Sequence, residues 1–399
     1  MEHFAAVQSL VRVALGGDRD AIRKQVERLQ VRLEKAGGTK EADALARLLA
    51  ASADRKEVSP SRVEQSRGLI RGEQMRPDTS PPIDRETGAA LCEIVFPEAG
   101  IESPLYGEVE RQVIDDLLEE WSRAAAMRAA GLEPTASLLI FGPPGSGKTL
   151  TAHHLAARLG LPLVVARIDG LISSFLGTTA RNIATLFDFA NRYGCVLLLD
   201  EFDALAKLRD DPSEIGEIKR VVNSLLQNLD ARRAHGLTIA ITNHDGLLDL
   251  AVWRRFETQL HLGDPDARTR RALVARFLAS VAPSEAMVRV VVHVLPELSG
   301  ADLERICLAV KRLMVLRGYD PDDAGVLSAL VEVVGRMPTV GPRARMLAED
   351  PGLFAAEMAD DPVLGLKVGE LARLVGMSPA KLSKLRHRRR IAMEAADAR

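Results

Sequence analysis

Apolar residues follow three regimes along the chain. From Phe4 to Ala53 they recur at helical spacing. Ile22, Val26, Leu29 and Leu33 share one face before Gly37-Gly38, and "EADALARLLA" supplies a further short helix. From Ser52 to about Glu86 the pattern dissolves into "SPSR" and "RPDTSPP", a composition that predicts a flexible linker. Beyond Thr87, short apolar runs alternate with helical stripes. Leu138–Phe141, Leu163–Ile168, Cys195–Leu199 and Thr238–Thr242 have strand length, and helices are predicted at about 150–160, 179–192 and 214–229. In the last of these, Ile218, Val221, Val222, Leu225, Leu226 and Leu229 form a wide apolar stripe. Continuous apolar strands separated by helices predict an α/β fold, a parallel sheet covered on both faces.

After Asp264 the strand signals fade. "DPDARTRRALVARFL" predicts a helix capped by Asp264 with Pro265 at its first position. "SGADLERICLAVKRLMVLRG" and "PDDAGVLSALVEVVGR" predict two more, and "MPTVGPRAR" connects to a last helical segment. The expected division is therefore 1–53, 54–86, 87–263, 264–335 and 336–399.

Composition changes this picture little. A net charge of −2 with 47% hydrophobic residues gives no global bias toward nucleic acid or membrane. Cys92, Cys195 and Cys307 are widely spaced and odd in number, which indicates neither a disulfide framework nor a zinc site. No signal-peptide layout and no membrane-length apolar run is present, so the expected setting is a reducing cytoplasm. Adjacent His153 and His154 point to different helix faces and read as packing or surface residues.

The candidate chemistry begins where the first predicted strand ends. Gly142-Pro143-Pro144-Gly145-Ser146-Gly147-Lys148-Thr149 fits G-x-x-x-x-G-K-[ST] between a strand and a helix, a loop whose backbone N–H groups cradle phosphates. Leu150, Leu155 and Leu159 share one face of that helix before Gly160. Lys148 would reach the β and γ phosphates of ATP, and the Thr149 hydroxyl would hold Mg²⁺. Cys195–Leu199 runs into Asp200-Glu201, where one carboxylate can order the water shell of Mg²⁺ and the next can activate the attacking water. Asn243 ends another strand, where an amide can bond both the γ-phosphate and that water. Arg254-Arg255 follow. Two adjacent arginines do not both fit one local pocket, so they point either to a neighbouring subunit's site or to a plain basic surface pair.

Taken together, "GPPGSGKT", "SSFLG", "LLLDEFDAL", "ITNHDGLLDLAVWRRF" and "LSGADLERI" occur in an order that resembles an AAA ATPase module, of the group that includes katanin and spastin. The resemblance covers about 87 to 335 and implies a P-loop AAA+ sheet domain (87–263) followed by a helical lid (264–335). It implies an ATP-hydrolysing homo-oligomeric ring, usually a hexamer, with ATP at each subunit boundary. Gly142 to Leu150, Asp200, Gly300 and Ala301 would hold the nucleotide, with Thr149 and, through water, Asp200 serving Mg²⁺. Glu201 and Asn243 would act on the lytic water, and Arg254 and Arg255 would reach into the next subunit's site. Phe175-Leu176-Gly177 match the pore segment that grips an extended polypeptide, although Ser174 stands where a lysine often precedes the aromatic. The implied function is remodelling, threading or disassembly of a substrate protein. No protease nucleophile constellation is visible, so degradation would need a separate partner.

The ends carry further signals. The amino-terminal helices loosely resemble the adaptor bundles of remodelling ATPases, and a plain oligomerisation or packing element fits them equally. Near the carboxyl end, 366–390 has helix-turn-helix spacing, with Ala372, Gly376, Leu382 and Leu385 in place and Ser378-Pro379 opening the second helix. Lys381, Lys384, Arg386, Arg388, Arg389 and Arg390 make it basic and suited to phosphate contact. Two readings stay open: a DNA-associated ATPase acting as regulator or loader, and a protein-binding helical hairpin with a solvated charged face. For the protein as a whole, after remodelling and DNA-associated regulation, a nucleotide-gated scaffold with little turnover is a third reading, against which Glu201 argues.

Overall fold

The structure, a computed structural model, describes residues 72–97, 103–171, 176–204, 215–233, 235–295, 298–337 and 341–397, together with Val26, which is helical. The amino-terminal helices expected over 4–53 otherwise lie outside the described residues, as does Phe175.

Six strands form one sheet: β1 (Cys92–Val95), β2 (Ser137–Phe141), β3 (Leu163–Ala166), β4 (Val196–Leu199), β5 (Thr238–Thr242) and β6 (Thr258–His261). Their order is β1-β3-β4-β5-β2-β6, parallel throughout except that β1 runs antiparallel to β3. The four apolar runs of the sequence are the four central strands. The two edges, β1 and β6, were not among the expected strands.

Helices cover both faces. Before the lid they are α1 (Glu108–Ser122), α2 (Ala124–Ala129), α3 (Lys148–Leu159), α4 (Ile168–Leu171), α5 (Leu176–Arg192), α6 (Ile215–Arg232) and α7 (Leu250–Trp253). Alternate residues of each central strand serve opposite cores. Leu139, Val164, Leu197 and Ala240 pack with Phe187 of α5 and with Val221 and Leu225 of α6. Leu138, Ile140, Leu198 and Ile239 pack with Leu117 of α1 and Leu155 of α3. Burying each Val, Leu, Ile or Phe side chain among these stabilises by about 1.5–3 kcal/mol.

The stretch expected as linker differs from residue 72 onward. Met75 is 4% exposed within the sheet domain's core, and Glu73 bridges to Tyr193. Asp84 is buried and accepts from the Glu86 backbone N–H at 3.0 Å and the Thr87 hydroxyl at 2.9 Å. Those bonds outweigh burial and hold its carboxyl below the ordinary range. Proline-rich composition therefore marks an irregular strap on the sheet domain rather than free chain.

After β6 the chain is helical: α8 (Ala267–Phe277), α9 (Glu285–Val294), α10 (Gly300–Arg317), α11 (Asp323–Gly335), α12 (Pro342–Glu349), α13 (Pro351–Met358), α14 (Val368–Leu374) and α15 (Pro379–Asp397). The cap of α8 is Asp266, which accepts from the Thr269 N–H at 2.6 Å, and not Asp264. Pro265 thus precedes the helix. One apolar core runs from Val274 through Val334 to Leu371, Ala372 and Leu382, joining the lid helices to the carboxyl-terminal ones.

In the last two helices the expected turn forms around Gly376, whose φ of 64° is left-handed, and Ser378 Oγ accepts from the Lys381 N–H at 3.3 Å. The expected grouping of six basic residues for phosphate contact needs correcting. Arg386 Nε donates to Asp360 at 2.9 Å, and Arg389 pairs with Glu357 of α13. These two arginines share the helix face of buried Leu382, so they turn toward carboxylates of their own fold.

Candidate nucleotide site

The phosphate loop follows β2 directly. Gly142 has φ 142°, and a Cβ there would lie 2.1 Å from the Leu262 carbonyl oxygen, so β6 can approach the loop only because Gly142 has no side chain. Gly145 has φ 79°, and its missing Cβ leaves room for Ser299 Oγ and Ala301 Cβ.

Lys148 opens α3 and is buried. Its Nζ donates to the carbonyls of Gly142 and Pro143 at 2.9 and 2.7 Å, with Ser146 Oγ at 3.4 Å. Burial pushes its pKa down, and the nearby Asp200 carboxylate acts against that. The lysine is thus a desolvated cation at the loop's centre, poised for an anion. Thr149 Oγ1 donates to Asp200 Oδ2 at 3.0 Å, across from the end of β4. A hydroxyl and a carboxylate side by side, both oxygen donors, fit the hard ligand set that Mg²⁺ requires.

Asp200 Oδ1 also accepts from the Glu201 N–H at 2.8 Å. Glu201 itself has φ 51°, a left-handed backbone for a residue with a Cβ, and its side chain is exposed to the cleft. Such a conformation costs about 1–2 kcal/mol. It turns the chain sharply at the sheet edge and aims the carboxylate away from the core. Asn243 follows β5. Below it, Thr242 Oγ1 donates to buried Asp203 at 3.1 Å and accepts from the His244 N–H at 3.0 Å, which ties the Asn243 turn to the acidic strand end. Asp203 was not singled out from the sequence, although its place two residues beyond Glu201 at a buried strand end is the available signal.

The lid closes one wall. The Ala301 N–H, in the first turn of α10, donates to the Gly145 carbonyl at 3.1 Å. A cleft of about 1040 Å³ results, lined by Pro144 to Leu150, Asp200, Glu201, Asn243, Gly300 and Ala301. Residues that sequence reasoning missed complete it: Tyr106 before α1, Asp264 and Pro265 after β6, and Leu273, Arg276 and Phe277 of α8. Tyr106 donates to Thr151 at 3.2 Å, and Arg276 donates to the Ser103 carbonyl at 2.7 Å. Leu150 departs from the expected apolar face. It is 48% exposed and lies on the cleft, whereas Leu155 and Leu159 are buried. Gly142 and Pro143 serve through their carbonyls on Lys148 rather than as lining.

Arg254 and Arg255 stay out of this cleft. They follow α7, between Trp253, which packs edge-on against Phe141 at 5.1 Å, and Phe256, which does the same against Phe202 at 5.8 Å. Arg255 pairs with Asp230 at 2.8 Å, whereas exposed Arg254 has no ion pair among the described residues. Leu176 opens α5, next to the undescribed Phe175.

Residues 138–264, from β2 to just past β6, match the family model described as "ATPase family associated with various cellular activities (AAA)". An uncharacterized AAA family ATPase, y4kL, of Sinorhizobium fredii is 40% identical over 234 residues, which span 58% of this chain and 70% of that protein. The chain belongs to the AAA family of ATPases. As a member it binds and hydrolyses ATP. The ATP-dependent zinc metalloprotease FtsH 1 of Symbiobacterium thermophilum is 32% identical over 67% of this chain, but the match spans only 46% of that protein. For the peroxisomal ATPase pex6 of Schizosaccharomyces pombe the figures are 29% identity, 50% and 22%. The crystal structure of the FIGL-1 AAA domain superposes with a TM-score of 0.51 at 19% identity, covering 64% of this chain and 90% of that one. That likeness supports the AAA fold. No described helix is long and apolar enough to cross a membrane.

Proposed function

We propose that this AAA ATPase couples ATP hydrolysis to the remodelling of protein substrates within a ring of its own copies, a hexamer by resemblance. The observation that carries the reading is the shared cleft. One wall is the sheet domain's phosphate loop and the other is the first turn of lid helix α10, joined at Gly145 and Ala301. A nucleotide filling that cleft bears on both walls, so changes at its γ-phosphate are transmitted as changes in lid position.

The chemistry is distributed as follows. Lys148 exchanges its loop carbonyls for the β and γ phosphates, and the loop N–H groups of Gly145 to Thr149 hold the phosphate oxygens. Mg²⁺, held by Thr149 directly and by Asp200 through water, would neutralise developing phosphate charge. Glu201 accepts the proton of the attacking water, and Asn243 orients that water against the γ-phosphate. Arg254, supplied to the neighbouring subunit's cleft, stabilises transition-state charge, with Arg255 beside it. Phe175 and Leu176 grip the substrate polypeptide in the ring's pore. The chain spans less than half of its FtsH and pex6 relatives. A separate effector or protease that acts on the remodelled substrate is the proposed further partner. The cytoplasm is the proposed compartment.

The test is ATP turnover by the full chain with and without a permanently unfolded polypeptide, alongside unfolding of a tagged fluorescent protein. Stimulated turnover and ATP-dependent loss of fluorescence are expected, and Phe175→Ala is expected to lose both responses. A wild-type protein that neither responds to polypeptide nor unfolds the reporter would overturn remodelling.

A further inference from the structure

The outward face of α15 is chemically unlike the rest of the molecule. Residues 362–391 contain eight basic residues and one acidic one, a net charge of +7, whereas the whole chain carries −2. The remaining residues are therefore at −9, so the positive charge is local to this segment. The fold then sorts it. Leu382, Leu385, Arg386 and Arg389 recur every three or four residues and face inward, where Leu382 is fully buried and the two arginines hold Asp360 and Glu357. Lys381, Lys384, His387 and Arg388 are all exposed, with Lys384 and His387 opposite that inward face and Lys381 and Arg388 along one margin of it. Ala380 and Ser383, both small and exposed, sit beside them near the helix start.

That face is presented rigidly. α13, α14 and α15 pack as three helices around Phe354, Leu371, Ala372 and Leu382. Four residues, Val375 to Ser378, join α14 to α15, with Gly376 in the left-handed region and the Met377 N–H bonded to the Ala372 carbonyl at 2.8 Å. Beyond the turn, α15 runs for 19 residues, about 28 Å of helix. A helix of this width enters the major groove of duplex DNA, whose two phosphate rims lie about 12 Å apart. Small residues at its start allow close approach to the groove floor, and flanking cations meet the rims. A membrane surface would call for several large apolar side chains among the cations, and from Pro379 to Ile391 only Ile391, at the end of the basic stretch, is presented outward.

We propose that the outward face of α15 binds double-stranded DNA, with Lys381, Lys384 and Arg388, which share one flank of the helix, along one phosphate rim of the major groove. The site lies on the lid-side helices and involves none of the nucleotide residues, so it stands or falls independently of the remodelling reading. DNA serves here as a partner that localises the ATPase, and the contacts are largely to backbone, hence of low sequence specificity.

The test is fluorescence anisotropy of a labelled duplex of about two helical turns with the full chain, without nucleotide, from about 50 to 200 mM salt. Wild type is expected to bind with a log–log salt slope near −3, as three phosphate contacts give about −0.9 each. Lys384→Ala with Arg388→Ala should reduce the magnitude of the slope by about 1.8 and weaken low-salt binding by on the order of tenfold or more. Lys384→Arg with Arg388→Lys should retain binding. Unchanged thermal unfolding of the alanine pair separates lost contacts from lost folding, since exposed substitutions seldom alter stability. Absence of duplex binding at low salt would overturn the proposal. So would a salt slope that the alanine pair leaves intact, or stronger binding to polyglutamate or to phosphatidylserine vesicles than to duplex.

Discussion

The Ala301 N–H donates to the Gly145 carbonyl at 3.1 Å, and in the same place Gly145 has no room for a Cβ. Lid and phosphate loop therefore meet backbone to backbone. Ala301→Pro removes this donor at a first-turn position where proline suits a helix. Loss of one neutral hydrogen bond, about 0.5–1.5 kcal/mol, should raise the KM for ATP roughly two- to tenfold with α10 intact. Gly145→Ala should be more severe, because it adds backbone strain at φ 79° and contact with Ser299 and Ala301. Steady-state kinetics on both variants checks the order, and an inert Gly145→Ala would remove the lid contact from the mechanism.

Glu201 combines an exposed carboxylate with a strained backbone, which points to a role other than stability. Glu201→Gln should keep ATP bound while turnover falls by on the order of 10²–10³. Lys148→Ala should instead abolish productive binding. Glu201→Gly should also lose turnover, yet unfold at no lower temperature than wild type, because glycine relieves φ 51°. A thermal scan and a nucleotide-binding measurement on the same preparations decide both points. Near-normal turnover by Glu201→Gln would take the base role from this residue.

The two arginines after α7 should separate. Arg255→Ala breaks the pair with Asp230 and should disturb the network that includes Arg233 and Glu257, lowering thermal stability as well as turnover. Arg254→Ala removes an exposed side chain and should depress turnover alone, with ATP affinity of the isolated subunit kept. Mixing Arg254→Ala with Lys148→Ala subunits should restore part of the activity, since some interfaces then combine an intact cleft with an intact arginine. Full activity of a strict monomer in sedimentation would refute action across an interface.

The residues that the sequence places at the phosphate loop and at the ends of β4 and β5 do meet on one cleft, and they were legible because their signal is local. A glycine-rich loop between a strand and a helix, and acids at a strand end, name their own surroundings. The edge strands were not legible. β6 reads Thr258-Gln259-Leu260-His261, with only Leu260 buried, and β1 reads Cys92-Glu93-Ile94-Val95, broken by Glu93, so neither has a continuous apolar run. Arg386 and Arg389 depart from the expected basic grouping for a related reason. Composition counts cations, but only packing around Leu382 shows which helix face meets Asp360 and Glu357. Tyr106, Arg276 and Phe277 reach the cleft through tertiary approach, which no spacing rule encodes.

Acid should weaken the lid-side core through His293. The ring is buried in α9, with Nε2 3.0 Å from Met358 Sδ and 3.2 Å from Asp361 Oδ2. Burial pushes its pKa below the ordinary 6.5, the Arg343 guanidinium adds to that, and the Asp361 carboxylate opposes both. The folded protein then binds fewer protons at this site than the unfolded chain as pH falls below about 6.5. Stability therefore rises with pH across that window and is lost on acidification, by at most about 1.4 kcal/mol per pH unit. His154, lowered mainly by its own burial, contributes in the same direction from the sheet domain. His293→Gln retains a polar group toward Asp361 without a titrating ring, so its unfolding temperature should fall less than that of wild type between pH 7.5 and 5.5. The His154 contribution is common to both proteins and cancels in the comparison. Parallel pH profiles for the two would show that His293 takes up its proton equally well folded and unfolded, contrary to its buried position beside Arg343.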